Sequence, residues 1–373
     1  MADRGRQIPA AFPKLTVRGL QTRALRVAMR RPLGTSGGTI THAPLVLIDL
    51  ETEEGVPGRA YLFAYSDLGA RTLRQLLAGI LEMVRGDAVA PVAIAKKLHG
   101  RFTLIGREGL PTIAMSGLDV ALWDALGRAT GLPLARLLGG ELHPVAAYNS
   151  NALGLDAPEK VADEALELLA EGFHAIKLRL GRETLWDDLV ATRAVRARIP
   201  ADALLMTDFN QALTVAEALA RGRALDREQV YWIEEPVQHD DYAGAARLAR
   251  ELETPVQIGE NFLGPRAMAA ALAAGAADYV MPDLARIGGV TGWMRAAALA
   301  DAAGIEMSSH LYPEVSAQLL AVTPSAHFLE YVDWAAPVLV RPLEIADGQA
   351  LPGEAPGVGL DWNEDAAARF AIE

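Results

Sequence analysis

The sequence predicts an α/β chain in which a closed parallel barrel of βα units follows an α+β domain. Three observations carry this prediction. From Pro144 onward, short apolar runs alternate with Ala/Leu-rich helical stretches, the rhythm of buried strands joined by crossover helices. Up to about residue 140 the same kinds of segment occur without that alternation. From about Pro342 the chain turns Pro- and Gly-rich and leaves no room for a further βα unit.

The first domain, residues 1–140, opens with Leu15–Met29, which partly alternates as an amphipathic strand does. Arg31–His42 is small and Gly-rich and reads as a mobile loop or a plain connector. Pro44–Tyr65 holds two apolar runs around Glu-Glu-Gly-Val-Pro-Gly, a hairpin signal. Helical periodicity covers Arg71–Val84 and again Ser116–Leu138; the first has an apolar face suited to a core or a subunit interface. The second domain, 141–341, carries β segments at Val145–Tyr148, Ala175–Leu180, Ala203–Asp208, Val230–Glu234, Val256–Glu260, Tyr279–Asp283, Ile305–His310 and Phe328–Val332. These eight are what a (β/α)8 barrel needs; doubly wound sheets also alternate, but rarely through such uniform units. Residues 342–373 are expected to return to the first domain, making it a cap built from both ends of the chain.

Composition narrows the function. Of 373 residues, 51% are apolar, ample for a sizeable core. Asp and Glu outnumber Lys and Arg by 47 to 35, a balance that disfavours nucleic acid, which needs clustered cations. There is no cysteine, which removes disulfides, thiolate metal sites and cysteine nucleophiles together. Any metal must be held by oxygen or imidazole. The start lacks the apolar core of a signal peptide, and no run is long enough to span a membrane; the expectation is a soluble cytoplasmic protein.

The ends of the predicted barrel strands carry the chemistry. They hold Lys177 and Arg179, then Asp208, Glu234, Glu260, Asp283, His310 and Glu330. From Asp208 the steps are 26, 26, 23, 27 and 20 residues, about one βα unit each. Carboxyl-terminal strand ends of such barrels face the active site, so these side chains should converge. Any one acid alone is explained as a loop residue or a helix N-cap; a set in phase on consecutive strands is not. Asp208, Glu234 and Glu260 would repel one another unless a cation neutralised them, and hard oxygen ligands favour magnesium, with manganese as substitute. Lys177 and Arg179, two residues apart on one strand, point to the same side. Asp283 can orient His310 and raise its basicity. The set suits removal of a proton next to a carboxylate, with cationic stabilisation of the enediolate. A base on each face permits racemisation; one base and a β-leaving group permit elimination.

With these residues in place the sequence resembles the enolase superfamily, and within it the mandelate racemase / muconate lactonizing enzyme family, most closely its racemase branch. The likeness runs from APLVLIDL and YLFAY through TDFNQ, WIEEP, QIGEN and MPDLARIGGVTGW to SSHLYPE and PGVGL. It implies an α+β capping domain over a modified (β/α)7β TIM barrel, and one magnesium ion per subunit on Asp208, Glu234 and Glu260. It implies a His310–Asp283 dyad as base and Glu330 as an acid hydrogen-bonded to the substrate carboxylate. Asn210 would meet the substrate hydroxyl or the metal region, and Ser150 the substrate's polar end. Glu235 falls on the opposite face from Glu234. The family's members are often homo-oligomers, octamers among them.

One departure matters. Where the racemase pattern has Lys-x-Lys, the second lysine being the base opposite the histidine, this chain has Lys177-Leu-Arg179. A guanidinium is a poor base at neutral pH, although it stabilises an anion well. Racemisation of a hydroxy carboxylate is the first expectation, dehydration with His310 as single base the second, and a catalytically silent barrel that binds metal and ligand the third. Leu33, Gly37, Ile40, Phe63, Tyr65, Leu104, Leu311 and Val332 are expected around the substrate, a set suited to an aryl or hydrophobic acid. Ile287–Gly292 (IGGVTG) reads as a tight βα turn rather than a phosphate cradle.

Overall fold

Two long antiparallel strands, β1 (Val17–Thr35) and β2 (Gly38–Thr52), open the fold in the computed structural model, and β3 (Gly58–Phe63) pairs along β2. The structure describes residues 13–35 and 37–372; the expectation about a leader segment falls on the first dozen residues and lies outside it. Arg31–His42, expected as a loop, is the paired end of the first hairpin: Leu33 stands opposite Ile40 and Thr35 opposite Gly38, beyond a register shift after Ala28. Gly and Pro composition reads as a loop, but the two segments satisfy each other's backbone groups across the turn.

Helices α1 (Asp67–Val84), α2 (Pro91–Arg101), α3 (Leu110–Thr130) and α4 (Leu134–Leu137) complete the cap. Ser66 caps α1 by accepting from Gly69 N, and the apolar face of α1, Leu73, Leu77, Ile80, Leu81 and Val84, is buried in the core of the fold. α3 packs on the sheet at Gly117, where a Cβ would stand 2.6 Å from Ile48 Cδ1 and 2.9 Å from Leu62 Cδ1. A side chain there would push helix and sheet apart.

The barrel strands are β4 (Val145–Asn149), β5 (Ala175–Arg179), β6 (Leu204–Asp208), β7 (Ile233–Glu234), β8 (Val256–Ile258), β9 (Tyr279–Val280), β10 (Glu306–Met307) and β11 (Leu329–Tyr331). All pair in parallel, β11 returns to β4, and the bridge between Met307 and Ala326 closes the remaining gap. Helices α5 (Pro158–Ala170), α6 (Leu185–Arg198), α7 (Val215–Leu225), α8 (Tyr242–Glu251), α9 (Pro265–Ala274), α10 with α11 (Leu284–Ile287, Gly289–Ala303) and α12 (Pro313–Leu320) follow the first seven strands. Among the described residues no α-helix follows β11 on the barrel wall, only a short 3-10 turn at Ala336–Val338. The chain instead makes a short hairpin, β12 (Glu344–Ala346) and β13 (Gln349–Leu351), against the start of β4. The architecture is (β/α)7β rather than eight uniform units, because the Pro/Gly-rich tail cannot build the last helix.

That tail then reaches the cap. After α13 (Glu364–Phe370), β14 (Ala371–Ile372) pairs with β1 at Ala24 and Leu25. The Gly-rich segment after β9 is a tight turn: Gly288 and Gly289 both have positive φ, and Thr291 donates from N and Oγ1 to Asp119 of α3. Cap and barrel also meet above the strand ends, where Leu155 N of the β4–α5 loop donates to Gly34 O of the first hairpin at 3.2 Å.

Candidate active site

Asp208 and Glu234 end adjacent strands, and Glu260 lies two residues beyond β8. One carboxylate oxygen from each falls within 4.8 Å of the others. Asp208 accepts from Asn210 N (2.7 Å) and Nδ2 (3.0 Å), and Glu234 from Trp232 Nε1 (3.1 Å) and Gln257 Nε2 (3.3 Å). Burial pushes the Glu234 carboxyl up, and Lys177 beside it acts the other way. Three hard oxygen donors converging in a nearly dry site fit a divalent cation of the magnesium type. Glu235 turns away, as alternation requires. Both its oxygens accept from Asn261 Nδ2, which also donates to Glu260.

Lys177 is fully buried, 2.5 Å from Glu234, 2.9 Å from Glu330 and 3.3 Å from Asp208. Burial alone would lower its pKa, but these carboxylates overcome that and hold the ammonium charged. Arg179 is turned to the loop after β4. Its Nη1 donates to Ser150 O (2.7 Å) and Ala152 O (3.2 Å), and its Nη2 to Ser150 Oγ (2.8 Å). Ser150 Oγ in turn donates to Glu330 Oε1 at 2.7 Å. The other Glu330 oxygen accepts from Leu311 N at 2.9 Å. Burial would raise the Glu330 pKa, but Lys177, His310 and Ser150 hold it well below the usual carboxylate range. Glu330 thus accepts at both oxygens.

His310 and Asp283 sit on adjacent strand extensions joined by a parallel bridge. His310 Nδ1 is 2.7 Å from Asp283 Oδ2, while Asp283 Oδ1 accepts from Ala285 N and Arg286 N at the start of α10. Both acceptor sites of the aspartate are therefore engaged, which fixes the imidazole and leaves Nε2 facing Glu260 (3.3 Å) and Glu330 (3.8 Å). Burial lowers the imidazole pKa, but Glu260, Glu330 and Asp283 together push it up to about 9.

A cavity of about 800 Å³ opens above these groups. Lys177, Arg179, Asp208, Glu260, His310 and Glu330 line its floor, and Tyr65, Ile40, Asn210 and Leu311 line it as the sequence predicted. Ser150 does not line it: the residue is fully buried and its hydroxyl is committed to Arg179 and Glu330. Leu104 is 97% exposed on the loop between α2 and α3, remote from the expected role, and Val332 is buried away from the cavity. Sequence reasoning missed Trp334, Leu155, Gln211 and Gln238, all in the lining. Gln211 was within reach, since it follows Asn210 in the same strand-end motif. It also missed Arg286, which donates to Asn261 Oδ1 and Glu260 O and lies 4.8 Å from the Tyr65 ring centroid.

Comparison with known proteins gives the same arrangement a family. Residues 18–139 match the model described as Mandelate racemase / muconate lactonizing enzyme, N-terminal domain, and residues 160–366 match Enolase C-terminal domain-like. L-talarate/galactarate dehydratase of Salmonella typhimurium is 30% identical over 88% of this chain and 82% of its own. An enolase of alphaproteobacterium bal199, crystallised with bound magnesium, superposes with a TM-score of 0.94 at 48% identity, covering 96% of this chain and 100% of that one. An enolase of Bradyrhizobium in complex with magnesium and mandelic acid gives 0.93 at 42% identity, covering 97% and 99%. Other relatives are named cycloisomerase, racemase and epimerase. Among the described residues no helix is long and apolar enough to cross a membrane. With its two halves matched by both models, and with lyases and isomerases among its relatives, the chain belongs to the mandelate racemase / muconate lactonizing enzyme family of the enolase superfamily.

Proposed function

We propose that the protein is a magnesium-dependent lyase that removes the α-proton of a hydroxy carboxylate with His310 as its single base and eliminates water. The observation that carries this reading is Arg179. The position expected to hold a second base carries a guanidinium, and three hydrogen bonds tie that group to Ser150 and Ala152. Lys177, the other cation of the strand, is enclosed by three carboxylates. A guanidinium bound to carbonyls and an ammonium held charged among three carboxylates are both poor proton acceptors.

Asp208, Glu234 and Glu260 would hold the magnesium, for which manganese would substitute. Magnesium bound there supplies positive charge against the negative charge that develops on the substrate carboxylate. Lys177 adds a second positive charge beside the same group. His310 Nε2 takes the α-proton; Asp283 holds the ring through Nδ1 and stabilises the imidazolium. With one acid–base group in reach, the proton taken by His310 is also the one returned to the leaving hydroxyl, which makes the elimination syn.

Racemisation is the second reading, and the mandelic acid held by the Bradyrhizobium relative favours it, since mandelate has no β-leaving group. Proton NMR in deuterium oxide with magnesium separates the two. A 2-oxo acid product supports elimination. Inversion of mandelate with α-deuteration and no loss of water overturns it.

A further inference from the structure

We propose that the substrate is a 2,3-dihydroxy monocarboxylic acid whose far end is an aryl or bulky alkyl group, rather than a polyol or dicarboxylic sugar acid. This rests on the elimination reading above and adds the substrate's shape and charge.

The first ground is a charge census of the cavity. The basic side chains in its lining are Lys177, Arg179 and the base His310. All three belong to the reacting end: Lys177 among Asp208, Glu234 and Glu330, His310 against Asp283, and Arg179 on the carbonyls of Ser150 and Ala152. One substrate carboxylate therefore meets positive charge and a second would not. Arg286 does not answer for it, because it is not in the lining and is engaged by Asn261 and Glu260 O behind the Tyr65 ring. An ionised carboxylate moved into a cavity without a partner loses hydration that nothing replaces.

The second ground is the wall facing the reacting end. The hairpin contributes Leu33 and Ile40, the end of β3 Phe63 and Tyr65, and the barrel loops Leu155 and Trp334. The rings are continuous: Phe63 lies 4.6 Å from Tyr65 and 5.0 Å from Trp334, centroid to centroid. Four of these six side chains carry no hydrogen-bonding group, and the other two add one hydroxyl (Tyr65) and one indole N–H (Trp334), so most hydroxyls of a polyol tail would be desolvated against carbon. An apolar tail gains there in proportion to its buried area. Apart from Thr35, whose hydroxyl donates to Gly38 O on the hairpin, and the Tyr65 hydroxyl, the uncharged polar lining groups gather around Asp208. Asn210 donates to that carboxylate, and the amides of Gln211 and Gln238 are tied to the backbone beside it. Polar groups near the metal-type site and carbon beyond it suit two adjacent hydroxyls next to one carboxylate, and then an apolar group.

The reaction balances without a co-reactant. His310 takes the proton from C2, the C2–H electrons form the C2–C3 double bond, and the C3–O bond breaks. The hydroxyl departs as water with the proton from His310, and the enol takes a proton from solvent at C3 to give a 2-oxo acid.

The test compares 2,3-dihydroxy-3-phenylpropanoate, as its separate stereoisomers, with galactonate and galactarate on the magnesium-loaded enzyme, reading 2-oxo acid formation. One phenyl stereoisomer should be turned over with kcat/KM about 100-fold above either sugar acid. Equal or faster turnover of galactonate or galactarate overturns the inference and leaves elimination standing. Inversion or deuteration of mandelate with no 2-oxo acid from any of the three overturns both. Binding to His310→Asn, followed by tryptophan fluorescence, removes the dependence on turnover. The phenyl acid should bind at least about ten-fold more tightly than galactarate, and the reverse order overturns the inference.

Discussion

Replacing Arg179 with lysine restores the Lys-x-Lys pattern of the racemase branch, and its effect follows from the hydrogen bonds the guanidinium makes. In the native protein three N–H groups on two nitrogens reach Ser150 O, Ala152 O and Ser150 Oγ, with the side chain 4% exposed. Lysine ends in one nitrogen on a shorter reach and cannot serve both carbonyls and the hydroxyl together. Two charge-assisted bonds are lost, at roughly 1.5–3 kcal/mol each, so the expected destabilisation is about 3–6 kcal/mol. Urea unfolding should show a lower midpoint at unchanged slope. Elimination should fall as well, because Ser150 Oγ loses the donor that aims it at Glu330. No inversion of mandelate should appear, since the new amine is drawn to the carbonyls of the same loop. If the Arg179→Lys protein is as stable as wild type within about 0.5 kcal/mol and inverts mandelate, the reasoning fails: Arg179 would then simply occupy the place of a base.

His310→Asn should lower α-proton removal at least about 1,000-fold while magnesium binding, measured by calorimetry, stays intact, since asparagine keeps the fold but cannot serve as base. Asp208→Asn should weaken magnesium binding by the same assay, as one of three anionic donors is lost. Gly154→Ala places a Cβ 2.7 Å from Gly34 O and 2.8 Å from Gly34 N. Hydrogen exchange over residues 30–40 and 150–157 should rise with little change elsewhere. Burial pushes the Asp119 carboxyl up from 3.8 to about 7, against the bonds from Thr291. A raised folded pKa means that its contribution to stability is fullest below pH 3.8 and is lost as pH rises through about 7. Asp119→Asn should therefore flatten the pH dependence of the urea midpoint between pH 4 and 7.

The barrel and its rim were legible because a βα unit imposes a repeat of about 25 residues, and ionisable residues in phase with that repeat stand out against apolar strands. Asp208, Glu234, Glu260, Asp283 and His310 were found this way, and the structure brings them together. The hairpin at Arg31–His42 was not legible, because its Gly and Pro residues carry a loop composition while its structure depends on a partner strand. Ser150 was misplaced for a related reason. Its loop turns back on itself through Ala152 (φ 53°) and Leu153 (φ 47°), left-handed conformations that neither residue type signals. That turn brings the Ser150 hydroxyl under Arg179 rather than into the cavity.

The same loop shows why the change at position 179 is not a simple loss of a base. Between Ser150 and Asp156 the alternate carbonyls of Ser150, Ala152, Gly154 and Asp156 all accept from arginine, the first two from Arg179 and the last two from Arg182. A segment with two consecutive left-handed residues forms no regular ladder, so these acceptors need side-chain donors, and a buried carbonyl without one is costly. Arg182 is itself held within 3.9 Å of Asp188, whose Oδ1 also accepts from Gly181 N and Arg182 N. The platform so built carries Leu155 N to Gly34 O and brings Leu155 up beside Leu33 in the cavity wall. Arg179 thus joins two properties in one side chain. On the elimination reading it puts no base on the face opposite His310, and it supports the loop that meets the hairpin at the cavity wall. A residue that restored the base would undo the support, so at this position the type of reaction and the shape of the pocket cannot be altered independently.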